Sequence, residues 1–121
     1  MQVSQEEFEK SLMILILQGD HPVLSILRQQ YATAKVASRK FSGVGFFTEF
    51  EVSETAPLVE PPNFAAGNVD IQLQNLPSGA GCVLFVRDGK LACLECYTFS
   101  EPWPEPLVIK SLSNALPAMP E

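Results

Sequence analysis

Residues 82–99 read CVLFVRDGKLACLECYTF and hold all three cysteines of this 121-residue chain, two of them spaced Cys-x-x-Cys. Asp88-Gly89 divides the stretch into two β-rich runs and signals a two-residue hairpin loop, because both residues accept positive φ. That loop predicts pairs of Arg87 with Lys90, Val86 with Leu91, Leu84 with Cys93 and Cys82 with Glu95. Side chains alternate along a strand, so Cys82, Leu84, Val86, Leu91, Cys93, Glu95 and Tyr97 are expected on one face. Val83, Phe85, Ala92, Leu94, Cys96 and Thr98 then share the other. Cys93 and Cys96 leave opposite faces, which rules out a redox pair at a helix start. A zinc site needs four ligands, and the sequence offers three cysteines and one distant histidine, His21. Cysteine is expected here as a small buried hydrophobe, with no metal and no cofactor. Cys82 and Cys93 lie diagonally, close enough for an adventitious disulfide on purification. Both faces of the hairpin are largely apolar, so it should be central, with helices on one side and proline-rich segments or a partner subunit on the other.

Upstream, the N-terminus carries a helix-start signal. Ser4 can cap, Glu7 completes a capping box, and Val3 with Phe8 form a hydrophobic staple. The helix should run over about 5–18 and end at Gly19. Its second half, LMILIL, is apolar on every side and offers a homodimer surface over residues 12–17. Asp20 starts a second helix over about 21–31, with Pro22 in its first turn and Leu24, Leu27 and Tyr31 on one side. His21 reads as a helix-surface residue, because no nucleophile pattern accompanies it.

The period changes to two from Thr33. TAKVASRKF and GFFTEFEVS form a hairpin through Gly43 and Gly45, with Phe46, Thr48, Phe50 and Val52 pointing one way and Phe47, Glu49, Glu51 and Ser53 the other. Lys35, Arg39 and Lys40 can face those carboxylates. ETAPLVEPPNFAAG is a connection, and NVDIQLQ is a strand with Val69, Ile71 and Leu73 inward. NLPSGAG reads as a turn, and 100–121 as a proline-rich tail with a short strand or helix near 107–112 and a frayed end from residue 116. The whole predicts a single α+β domain over 1–121: an N-terminal αα-hairpin packed on a mostly antiparallel sheet of about five strands, spanning about 33–99.

Net charge is −6 and the pI about 4.7, so nucleic-acid binding is disfavoured. The aromatic residues Phe46, Phe47 and Phe50 lack the basic surround of a nucleotide-stacking site and are expected in the core. Neither SGVG nor SGAG has the pattern of a phosphate loop. The longest apolar run is too short to span a bilayer, no leader pattern precedes it, and an odd number of cysteines suits reduced thiols, so a cytoplasmic protein is expected.

Glu95 is the most informative single residue, a carboxylate on an otherwise apolar strand face beside Tyr97. It is expected to reach the rim, to pair with Arg39 or Lys35, or to work in a pocket mouth with Tyr97 and Trp103. Glu49 and Glu51 read as a solvated charge row and are further binding candidates.

FSGVGFFTEFEV and LFVRDGKLACLECYTFSEPWPE resemble a group of small bacterial proteins of unknown function that share a GxGFFT-x-F hairpin, an Asp-Gly turn, an LExYT strand and a following WP. Cys96 stands where that pattern has glycine. The resemblance implies a non-catalytic α+β module, and small acidic bacterial proteins of this build also resemble toxin-neutralising immunity proteins that bind a basic toxin domain. The expectation is a non-enzymatic protein-binding module with no catalytic residues. The alternative is a small-molecule binder or hydrolase that uses Glu95 and Tyr97.

Overall fold

Ser4 opens the first helix as its neighbours specify. Its Oγ accepts from the Glu7 N–H at 3.1 Å, and the Glu7 carboxylate accepts from the Ser4 N–H at 2.9 Å. The structure, a computed structural model, describes residues 2–116. Helix α1 spans Gln5–Ile16 and α2 spans Pro22–Thr33. The cap of α2 is His21 and not Asp20, because His21 Nδ1 accepts from the Val23 N–H at 3.1 Å. Arg28 reaches back to donate to the carbonyls of Leu17 and Gly19, which ties the two helices into a hairpin.

The strands are β1 Gln2–Val3, β2 Lys35–Phe41, β3 Gly45–Glu51, β4 Phe64–Leu73, β5 Leu76–Arg87, β6 Lys90–Thr98 and β7 Leu107–Leu116. They form an antiparallel sheet in the order β1-β7-β4-β5-β6-β3-β2. Two helices packed on a large antiparallel sheet make this an α+β fold, as expected, but with seven strands among the described residues and not five. The segment read as a tail contributes β7, which pairs with β4 on one side and β1 on the other. NLPSGAG is not a turn either: Gln74-Asn75 reverses the chain, with Asn75 at φ +66°, and β5 begins at Leu76. Residues 117–121 of the stretch expected to fray lie outside the described residues.

Both helices press on one face of the sheet. Phe8, Leu12, Met13 and Ile16 of α1 and Leu24 and Leu27 of α2 meet Phe46, Ala66, Val69, Ile71, Cys82, Leu84 and Leu94 in one core. Complete burial of a leucine-sized side chain contributes about 1.5–3 kcal/mol each, so this layer dominates stability. It also uses most of the apolar 12–17 surface that was expected to serve a homodimer. Leu12, Met13 and Ile16 are fully buried within the chain, and Ile14, at 60% exposure, is what α1 leaves outside. Gly67, at φ +76°, forms a bulge in β4 where α1 crosses closely; a Cβ there would meet Ile16 Cγ2 at 2.8 Å. The sheet curls around α1, so that Val3 of β1 and Phe41 of β2, from opposite edges, line one groove with Trp103.

Asp88 and Gly89 reverse the chain with φ +54° and +78°, and Arg87 pairs with Lys90 and Val86 with Leu91 as the sequence predicts. The next pair corrects the prediction. Phe85 opposes Cys93, so Ala92 is an extra residue in β6. From that bulge outward every side chain of β6 changes face: Leu84 opposes Leu94, Val83 opposes Glu95 and Cys82 opposes Cys96. The physical reason is hydrophobic. Leu91 and Leu94 are three apart and cannot share a face of a regular strand, and a regular strand would carry Glu95 beneath the helices. One inserted residue buries both leucines and releases the carboxylate.

Candidate binding face

The side of the sheet opposite the helices is the candidate site. Alternation and the two hairpins bring Phe47, Glu49, Cys93, Glu95, Tyr97, Val83, Phe85 and Asp70 to it. The expectation that proline-rich segments cover this side is not met: both helices lie on the other face, and the connection 52–63 packs at the Asp88-Gly89 end. Glu95 sits in the middle, opposite Phe47 on β3 and Val83 on β5. Glu49 opposes Cys93 one position along, and Tyr97 opposes both Gly45 and Gly81. The Tyr97 ring lies over Gly81, where a Cβ would come within 2.8 Å of the phenol oxygen, and meets the Phe99 ring edge-on at 6.0 Å. Phe99 is 59% exposed and Phe47 37%. Phe47 therefore leaves the core expected of it, as the alternation of β3 requires.

Glu95 has no ion-pair partner among the described residues. Arg39, one of the two bases expected to reach it, lies on the helix side of β2. Its Nε and Nη2 donate at 2.7 Å to the two carboxylate oxygens of Glu9, a buried residue of α1. Thr48 Oγ1 at 2.7 Å and Gln5 Nε2 at 2.9 Å complete the shell. Burial pushes the Glu9 carboxyl up, but the hydrogen bonds from Arg39, Thr48 and Gln5 outweigh it, and it lies below the ordinary carboxylate value. Lys35, the other expected base, stands opposite Glu51 at the far end of β3. Lys40 lies 4.0 Å from Glu49 in an exposed pair, which contributes little.

Trp103 does not join Glu95 and Tyr97 in a pocket mouth. Its indole packs against Phe46 at 5.4 Å and Phe8 at 5.9 Å, on the helix side. No protein-family model matches this chain, and neither does a curated protein or a solved structure. Its function must therefore be argued from this geometry.

The thiols are poor nucleophiles in their settings. Burial pushes Cys93 up, and Glu49 and Glu95 add to it against the pull of Arg87. Cys96 is pushed well above its ordinary value by burial and by its hydrogen bond with Cys82. Cys82 and Cys96, not Cys82 and Cys93, are the facing pair, covered by the helices at 0% and 2% exposure. Thiolate is the reactive form, and a covered thiol must wait for the fold to open. Cys82 and Cys96 should therefore react with an aromatic disulfide reagent on the order of 100-fold more slowly in the native protein than in denaturant. Rapid native-state labelling of Cys82 or Cys96 would contradict the burial described. Among the described residues no cluster of three metal-ligating side chains occurs, and no helix is long and apolar enough to cross a membrane.

Sequence reasoning missed Phe99, Val83 and Asp70 as members of the face, and it missed the Glu9 network entirely. A signal for the network was present. Glu9 falls within the buried stripe of α1, between Phe8 and Leu12, and Thr48 falls between the inward residues Phe46 and Phe50.

Proposed function

We propose that this chain is a non-enzymatic protein-binding module that docks its partner on the open face of the sheet. The observation that supports the reading is the combination, on one face, of Phe47, Tyr97 and Phe99 with the unpaired carboxylate Glu95. Aromatic side chains dominate the energetics of protein interfaces, and an unpaired acidic group at the centre of such a patch favours a partner that brings a cation. The net charge of −6 would speed encounter with a basic protein. On this reading the partner is a basic domain and the chain acts as an immunity-type inhibitor in the cytoplasm. The alternative reading is a small-molecule or hydrolytic site on Glu95 and Tyr97; neither residue lines either of the two grooves described, which are formed by other residues.

The test immobilises the chain and offers it the soluble proteins of its own cells. A basic protein should be held at ~50 mM salt and released by ~500 mM, as screening of a charged interface requires. The combined changes Phe47→Ser and Glu95→Lys should abolish retention, while Ile14→Ser on the helix side should leave it intact. Retention that survives the first pair and fails with the second would place the contact surface on α1 and refute the reading.

A further inference from the structure

A groove of about 720 Å³ opens on the helix side, between α1, the end of α2 and β2. Its size is in the range of small-molecule sites. At its floor lies the Glu9–Arg39 pair. Both carboxylate oxygens are engaged: one takes Arg39 Nη2, and the other takes Arg39 Nε, Thr48 Oγ1 and Gln5 Nε2. The guanidinium still has Nη1 with no hydrogen-bond partner among the described residues. Tyr31, Lys10 and Lys35 also line the groove, and their hydroxyl and ammonium groups have no partner among the described residues. Burial and the charge of Glu9 push the Tyr31 phenol up, so it remains a proton donor. Three of the eight cationic residues of an acidic chain thus gather around one opening. Glu6, exposed at the mouth, is the one lining carboxylate not held by the network.

The apolar wall is provided by Phe50, which meets the Tyr31 ring edge-on at 6.1 Å, and by Val36, 40% exposed. From this arrangement of unused donors beside an apolar wall, we infer that the groove binds a small amphipathic carboxylate. Its anion lies between Lys10, Lys35 and the outer edge of Arg39, and its apolar body lies against Tyr31, Phe50 and Val36. The site is separate from the open sheet face and stands whether or not that face binds a protein. Arg39 plays two parts here. Its inner edge holds Glu9 and its outer edge faces the ligand, a division that the planar guanidinium allows and a lysine would not.

The experiment compares two probes of the same shape, phenylpropionate and phenylpropionamide, by titration into the full chain with the backbone amide signals followed by NMR. Phenylpropionate should shift residues 31–36 and 6–10 saturably with millimolar affinity, as expected for a molecule of that size in an open groove. The uncharged amide should bind at least about tenfold more weakly, since a charge-assisted contact distinguishes the two. Lys10→Gln with Lys35→Gln, both exposed positions, should weaken phenylpropionate about tenfold and leave the melting temperature unchanged. Tyr31→Phe should lower affinity and keep the aromatic wall. Equal binding of acid and amide, shifts located elsewhere, or affinity unaffected by the two lysine changes would each overturn the inference.

Discussion

Gln30→Leu is expected to destabilise the protein by about 3 kcal/mol, a fall in melting temperature of roughly 10 °C. Gln30 is fully buried on α2, and its amide joins three separate parts of the chain. Nε2 donates to the carbonyls of Pro57 at 2.8 Å and Gly89 at 2.9 Å, and Oε1 accepts from the Leu91 N–H at 2.9 Å. Leucine fills the space but leaves the Pro57 carbonyl and the Leu91 N–H without their side-chain partner; the Gly89 carbonyl retains the Val59 N–H at 3.1 Å. An unsatisfied buried group costs about 1–3 kcal/mol. Glutamate at the same position is the sharper control, because it keeps the acceptor and removes both donors. It should be at least as destabilising as leucine at neutral pH. Unfolding in urea measures both, and a leucine variant as stable as the wild type would show that Gln30 does not clasp the turn.

Arg39→Met should cost about 2–3 kcal/mol, at the lower end for a broken buried pair because the guanidinium is about a quarter exposed. The loss comes less from the vanished attraction than from Glu9, which stays buried and charged with two of its four donors gone. Changing both partners, Glu9→Leu with Arg39→Met, should therefore recover part of the loss. The same pair sets a pH dependence. Glu9 lies below the ordinary carboxylate value of 4.5 in the folded state, so the unfolded chain binds its proton first as pH falls. The stability it contributes is complete above that value and disappears as pH drops through the lower, folded one. Between about pH 5 and about pH 3, wild type should lose more stability than Glu9→Gln. Parallel curves for the two proteins would show that Glu9 is not the group responsible.

Much of this architecture was legible in the sequence. The capping box at Ser4, the Asp88-Gly89 turn and the alternation of Val69, Ile71 and Leu73 each rest on local chemistry, and each is found in place. What escaped depends on contacts distant in sequence. β7 carries Lys110, Ser111 and Ser113 among its apolar residues and is bent by a bulge, so its period of two is broken, and only its place beside β4 makes it a strand. In β5, Pro77, Gly79 and Gly81 imitate a turn, whereas Gly81 is there to accommodate the Tyr97 ring. The bulge at Ala92 had a visible clue in the spacing of Leu91 and Leu94, but choosing it required knowing which face the helices cover. The candidate face shares that dependence. Glu95, Tyr97 and Glu49 were singled out from sequence and lie on one side, while Trp103, chosen for its closeness along the chain, lies on the other.

The register of β5 against β6 decides whether Glu95 and Tyr97 meet solvent or the helices, and cross-strand nuclear Overhauser contacts read that register directly. The bulged pairing predicts contacts of Cys82 with Cys96 and of Leu84 with Leu94. Contacts of Cys82 with Glu95 and of Leu84 with Cys93 would instead place the carboxylate under the helices and remove the binding face proposed here.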